Sequence, residues 1–182
     1  NLPGIADPRD AERDAVDLLF FPTGGGKTEA YLGLAAFVLV LRRLRNPGLG
    51  SAGVAVIMRY TLRLLTLDQL NRATALICAL ELIRQEEPSS LGAWPFEIGL
   101  WVGDAATPNR MGSREHDHPK TARAKTLAFM RDERNPAPIP LEECPWCGAE
   151  FTRNSFRLTP HPDQPTRRRD RCANRHCDFR GD

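Results

Sequence analysis

Apolar residues along this chain fall into three short runs separated by two long stretches of helical periodicity. Val16 to Phe21 reads VDLLFF and ends at Pro22-Thr23-Gly24-Gly25-Gly26, the pattern of a buried parallel strand running into a glycine turn. From Lys27 to about Arg45, Ala30, Leu34, Phe37, Val38 and Leu41 recur at helical spacing. Arg42, Arg43 and Arg45 fill the last turn, where cations suit the helix dipole, and Asn46-Pro47-Gly48 stops the helix. Gly53 to Met58 (GVAVIM) reads as a second strand, and residues 65–84 as a second long helix closed by Glu87-Pro88. Phe96 to Val102 (FEIGLWV) is a third strand candidate, weakened by Gly99. This alternation predicts an α/β fold, a parallel sheet with helices on both faces.

The pattern changes after Gly103. Residues 104–120 are dominated by Pro, Arg, Asp and His and read as a loop; residues 121–134 read as one helix. The expected organisation is an α/β domain over residues 1–134, a proline-rich linker over 135–143, and a cysteine segment over 144–182 with few aliphatic and many arginine residues.

Composition narrows the class without naming a partner. A 41% hydrophobic, 26% charged chain of 182 residues is ordinary for a soluble domain with a small appendage, and a net charge of +2 argues for no ligand. The longest apolar stretch, Tyr31 to Leu41, is too short to span a bilayer, and the first residues lack a basic region followed by an apolar one. A cytoplasmic protein with no membrane partner is therefore expected, and a chain that opens without Met reads as a piece of a longer one. Arg167 to Arg171 (RRRDR) reads first as a solvated loop and second as a phosphate-contacting patch.

Phe21 to Thr28 (FPTGGGKT) carries the first candidate chemistry. The general phosphate-loop pattern is Gly, four residues, Gly-Lys, then Ser or Thr; Gly26-Lys27-Thr28 matches it, and Phe21 stands in place of the first glycine. Successive glycines let backbone N–H groups turn inward around phosphate oxygens, and the following helix aims its positive end at the same place. Lys27 is suited to the β- and γ-phosphates and the Thr28 hydroxyl to Mg²⁺. Thr23, Gly24, Gly25, Gly26, Lys27, Thr28 and Glu29 are the expected ATP-binding residues, with Lys27 and Thr28 closest to the chemistry. Kinases, GTPases and motor ATPases share this loop, so it specifies nucleotide and not reaction.

The second chemistry is thiol chemistry. Cys144-Pro145-Trp146-Cys147-Gly148 is a CxxC turn, Cys172 to Cys177 is CxxxxC, and 24 residues separate the two pairs. Two tight cysteine turns can bring four thiolates into a tetrahedron, a closed structural Zn²⁺ site of the zinc-ribbon type at Cys144, Cys147, Cys172 and Cys177. His176 beside Cys177 reads as a surface residue, and Cys78, between apolar neighbours on a helix, as a small core residue.

Pro22 to Glu29 (PTGGGKTE) resembles motif I of superfamily 2 helicases, and Val54 to Gln69 (VAVIMRYTLRLLTLDQ) resembles their motif Ia, a few residues longer than usual. FFPTGGGKTEAYLGLAAF, then MRYTLRLLTLDQLNRA and GLWVG, are similar to DrmA-type helicases of the DISARM phage-defence system, which also carry a cysteine-rich insertion. The resemblance implies a RecA-like fold, ATP and Mg²⁺ as cofactors, and nucleic-acid contacts from Arg59, Thr61, Arg63 and Gln69. It implies DNA rather than RNA as partner, beside the rest of a helicase chain and other defence-system subunits. One feature departs from it: no apolar run ends in Asp-Glu, the pair that such motors need for Mg²⁺ and the attacking water. Asp132-Glu133 lies in a charged, helix-like run. This chain alone is thus expected to bind nucleotide weakly and not to turn it over. A different class remains open: a non-motor nucleic-acid-binding zinc module on a degenerate phosphate-loop domain.

Overall fold

The computed structural model describes residues 2–16, 26–59, 63–103 and 107–180, with residues 63–66 described as backbone alone. They group into two compact units, Asn1–Ile98 and Gly99–Asp182.

The regular elements described in the first unit are all helical. A short α1 (Leu2–Ala6) is followed by α2 (Lys27–Arg45), α3 (Arg63–Glu86) and the single turn α4 (Pro88–Leu91). Gly26 precedes α2 with φ 81°, a left-handed conformation that glycine alone adopts cheaply. At the other end the Asn46 N–H returns to the carbonyls of Arg42 and Arg43, and Pro47 cannot extend the ladder. Ala35 of α2, Ala73 and Leu80 of α3, Leu91 and Phe96 are buried. Two charged groups close this core. The Arg43 guanidinium lies 5.1 Å above the Phe96 ring and donates to the Pro95 carbonyl at 3.0 Å. Glu81 accepts from Arg84 and from the Phe96 N–H at 2.9 Å. These bonds let charges be buried without orphaned polar atoms.

The structure corrects the expected fold. The paired strands among the described residues are β1 (Phe156–Thr159) and β2 (Arg167–Asp170), a two-stranded antiparallel sheet, and the rest is mostly helix and loop. The RecA-like parallel sheet is not formed there. Residues 53–58 and 96–102 carry no ladder, and Val54, Ile57 and Trp101 are 76%, 84% and 100% exposed. An apolar run becomes a strand only when a neighbouring backbone takes its hydrogen bonds, and no described strand lies beside these two runs. Most of the first expected strand, residues 17–21, lies outside the described residues.

In the second unit, Thr121 caps α5 (Ala122–Arg131) by accepting the Ala124 N–H at 3.2 Å. Buried Arg123 donates to the Pro162 carbonyl at 2.6 Å and pairs with Asp117 at 3.0 Å and Asp163 at 3.4 Å. Asp117, between His116 and His118, is thus engaged by an arginine. Phe129 of α5 meets Phe156 of β1 edge to face, centroids 5.4 Å apart, with Phe151 against the same ring at 5.6 Å. The arginine run 167–171, expected as a loop, supplies the whole of β2 instead.

Candidate metal centre

Each cysteine turn is shaped by its own backbone. The Cys144 N–H donates to the Ala149 carbonyl at 2.8 Å, and the Gly148 N–H returns to the Cys144 carbonyl at 2.9 Å. Gly148 has φ 70°, where a side chain would be strained, so the glycine after Cys147 is a requirement of the turn. In the second turn the Cys172 N–H donates to the Phe179 carbonyl at 2.9 Å and the Cys177 N–H to the Asn174 carbonyl at 3.1 Å.

The two turns bring all four sulfurs within 4.8 Å of one another. Cys144 and Cys177 stand 3.9 Å apart at sulfur, Cys147 and Cys172 3.4 Å. A tetrahedron of thiolates around Zn²⁺ at 2.3 Å has edges of about 3.8 Å, so these spacings fit such an ion. Amide donors complete the shell: the Asn174 N–H lies 3.3 Å from the Cys172 sulfur and the Phe179 N–H 3.4 Å from that of Cys177. The Asn174 side-chain amide reaches the Cys147 sulfur at 3.7 Å. Phe151, Phe179 and Ala149 pack around the cluster. The cluster can therefore hold a metal ion through four cysteines.

The thiols are not equivalent. Hydrogen bonding from Ala149, chiefly, lowers Cys147, the exposed member, to about 7. Burial pushes Cys172 up to about 12 and raises Cys177. Buried thiols resist ionising unless a cation sits among them, and a bound Zn²⁺ deprotonates its thiols outright. The charge of one ion thus answers the burial of Cys172 and Cys177.

The other expected site residues are scattered. Lys27 and Thr28 open α2, exposed and half-buried respectively, directly after left-handed Gly26. Glu29 pairs with Arg72 of α3. Thr23, Gly24 and Gly25 lie outside the described residues, as do Thr61 and the side chain of Arg63. Arg59 is exposed, and half-buried Gln69 donates to Asp68 at 3.3 Å. Asp132 and Glu133 stand at the end of α5. Arg134 holds Asp132 below the usual carboxylate range, and the Arg153 backbone N–H does the same for Glu133. No helix among the described residues is long and apolar enough to cross a membrane.

The chain is similar to the DISARM protein DrmA of Bacillus paralicheniformis. The two are 37% identical over 187 residues, which covers 98% of this chain and 16% of that relative. This chain therefore spans about a sixth of the curated relative that it matches. No family model matches it.

Sequence reasoning missed Asn174, which holds two sulfurs, and the Trp146–Asp178 hydrogen bond that ties one cysteine turn to the other at 2.8 Å. For Asn174 a signal was present: a short amide side chain inside a CxxxxC turn is suited to local backbone capping.

Proposed function

We propose that this chain is part of an ATP-dependent nucleic-acid helicase or translocase of anti-phage defence, its second unit braced by a structural Zn²⁺ at Cys144, Cys147, Cys172 and Cys177. The observation that carries the zinc reading is the four-sulfur cluster, whose members lie within 4.8 Å. Four cysteines leave no open position for water, so the ion supplies folding energy and not catalysis. The defence reading rests on the similarity to DrmA. The nucleotide reading is supported by Gly26 at φ 81° and by Lys27 and Thr28 in the first turn of α2, whose N–H groups lack intrahelical partners. ATP and Mg²⁺ are its proposed ligands there, with Arg59, Thr61, Arg63 and Gln69 toward DNA.

The test has two arms. Metal analysis of the chain should return one zinc per chain, with four thiols freed on chelation; a metal-free chain with free thiols would refute the brace. A fluorescent ATP analogue with Mg²⁺ should bind weakly and lose its binding in Lys27→Ala. Binding that ignores this substitution would remove the nucleotide site. A second reading, a zinc module that binds nucleic acid without a motor, is favoured by one observation. Asp132 and Glu133 are spent on Arg134 and Arg153, and no turnover is expected from this chain alone.

A further inference from the structure

The β1–β2 hairpin sorts its arginines onto two faces. Its register pairs Phe156 with Asp170, Arg157 with Arg169, Leu158 with Arg168, and Thr159 with Arg167. Paired residues share a face, and faces alternate along each strand. Phe156 and Leu158 are buried, and Arg168 and Asp170 share their side. Arg168 shows what a structural arginine looks like here. It grips Asp170 at 2.7 and 2.9 Å, donates to the Pro138 carbonyl at 3.0 Å, and lies 5.7 Å from the Phe156 ring centroid.

The outer face differs in every respect. It presents Arg157, Arg167 and Arg169, all exposed, beside half-buried Thr159. None of these three side chains has a hydrogen bond or ion pair with a described residue, whereas Arg168 has several. Arg157 and Arg169 stand directly opposite, where like charges lower hairpin stability. Folding alone would favour a carboxylate at one of these positions. Residues 153–180 hold eight arginines against three aspartates, and Asp170 is committed to the inner face.

We propose that the outer face of this hairpin binds the phosphate backbone of nucleic acid through Arg157, Arg167 and Arg169. Guanidinium forks match phosphate oxygens in two-point geometry. Arg167 and Arg169 are spaced by roughly 7 Å along the strand and Arg157 stands roughly 5 Å across, a two-dimensional array suited to a repeating anion. The face has no exposed apolar residue to bury against a protein or insert into a lipid surface, which argues against both. A contact to phosphates alone positions a strand without reading its sequence. This inference does not depend on nucleotide binding at Lys27.

The test uses the full zinc-loaded chain and fluorescein-labelled single-stranded DNA, read by anisotropy across a salt series. The triple variant Arg157→Gln, Arg167→Gln, Arg169→Gln should lose at least about tenfold in affinity, and its log K against log salt slope should fall by about 2, near 0.7 per phosphate contact. A control that removes the same charge elsewhere, Arg9→Gln, Arg45→Gln, Arg131→Gln, should change the affinity less than threefold. Arg169→Glu separates binding from folding: it should raise Tm, because it relieves the like-charge pair, and weaken DNA binding together. Unchanged affinity in the triple variant, equal loss in the control, or tighter binding to polyglutamate or anionic vesicles than to DNA would overturn the proposal. Should the triple variant lose its zinc, Arg169→Glu decides alone: undiminished DNA binding by that folded variant overturns it.

Discussion

The indole N–H of Trp146 donates to the Asp178 carboxylate at 2.8 Å, across 32 positions of sequence, and links the first cysteine turn to the second. Trp146 also meets Phe179 edge to face, ring centroids 5.9 Å apart. The sulfurs are thus held from outside as well as by any ion between them.

Asp178→Ala is expected to keep the metal stoichiometry but release the ion faster. The hydrogen bond is exposed, so its loss costs about 1 kcal/mol. Transfer of zinc to a chromogenic chelator should run several-fold faster than in the parent chain. An unchanged transfer rate would show that the indole–carboxylate bond does not support the turns.

Chelation should undo the two cysteine turns more than any helix. Among the described residues the apolar side chains packed against the cluster are the partly buried Ala149, Phe151 and Phe179, so metal binding, on the order of 10 kcal/mol for such sites, provides much of the local folding energy. Hydrogen exchange after chelation is expected to show lost protection at the amides of Cys144, Gly148, Cys172 and Cys177. The amides of α2 and α3 should stay protected. Cys172→Ser should reproduce the loss without chelator.

Stability of the first unit is expected to fall in acid through Glu81. Burial pushes its carboxyl up, but hydrogen bonds from Arg84, the Phe96 N–H and Gln85 outweigh this and leave it below the ordinary glutamate value of 4.5. A carboxylate depressed on folding stabilises above its unfolded pKa and loses that contribution as pH falls through its folded pKa. The loss therefore begins below about pH 4.5. Glu81→Gln should lower Tm at pH 7, by on the order of 2 kcal/mol in stability, and flatten the acid limb. An acid limb as steep in the variant as in the parent would assign it to other groups.

The sequence was legible where local signals suffice. Regular apolar spacing and a terminal arginine cluster located α2, and the helix read over residues 121–134 contains α5, which ends at Arg131. The four cysteines declared themselves by spacing, since each turn needs only its own residues and a glycine at 148. The parallel sheet expected from the sequence is not formed among the described residues, because GVAVIM and FEIGLWV state that a run is apolar and not which backbone will pair with it. The hairpin was missed for the opposite reason. Arg167 to Arg169 have no apolar alternation, and β2 forms on a partner strand whose Phe156 is buried against Phe129 of α5. The like-charge pair of Arg157 and Arg169 arises only from the register, which no local pattern encodes.

Phe129→Ala should unmake the hairpin's inner face and, with it, the outer one. Phe129 and Phe156 are 4% and 2% exposed, and their rings meet at an interplanar angle of 87°. Truncating such a ring leaves a cavity that the surrounding residues fill only in part, at a cost of about 3–5 kcal/mol. Phe129→Leu keeps most of the volume and should cost about 1–2 kcal/mol, mainly the edge-to-face contact. The arginines are untouched in both variants, so their charge is constant. If the outer face binds phosphates as a folded array, DNA affinity should track hairpin stability across the parent, Phe129→Leu and Phe129→Ala. Amide protection of Leu158 and Arg168 reports that stability independently. Equal DNA affinity in all three chains, with protection lost in the alanine variant, would mean that charge alone, not the register of Arg157 against Arg169, makes the surface.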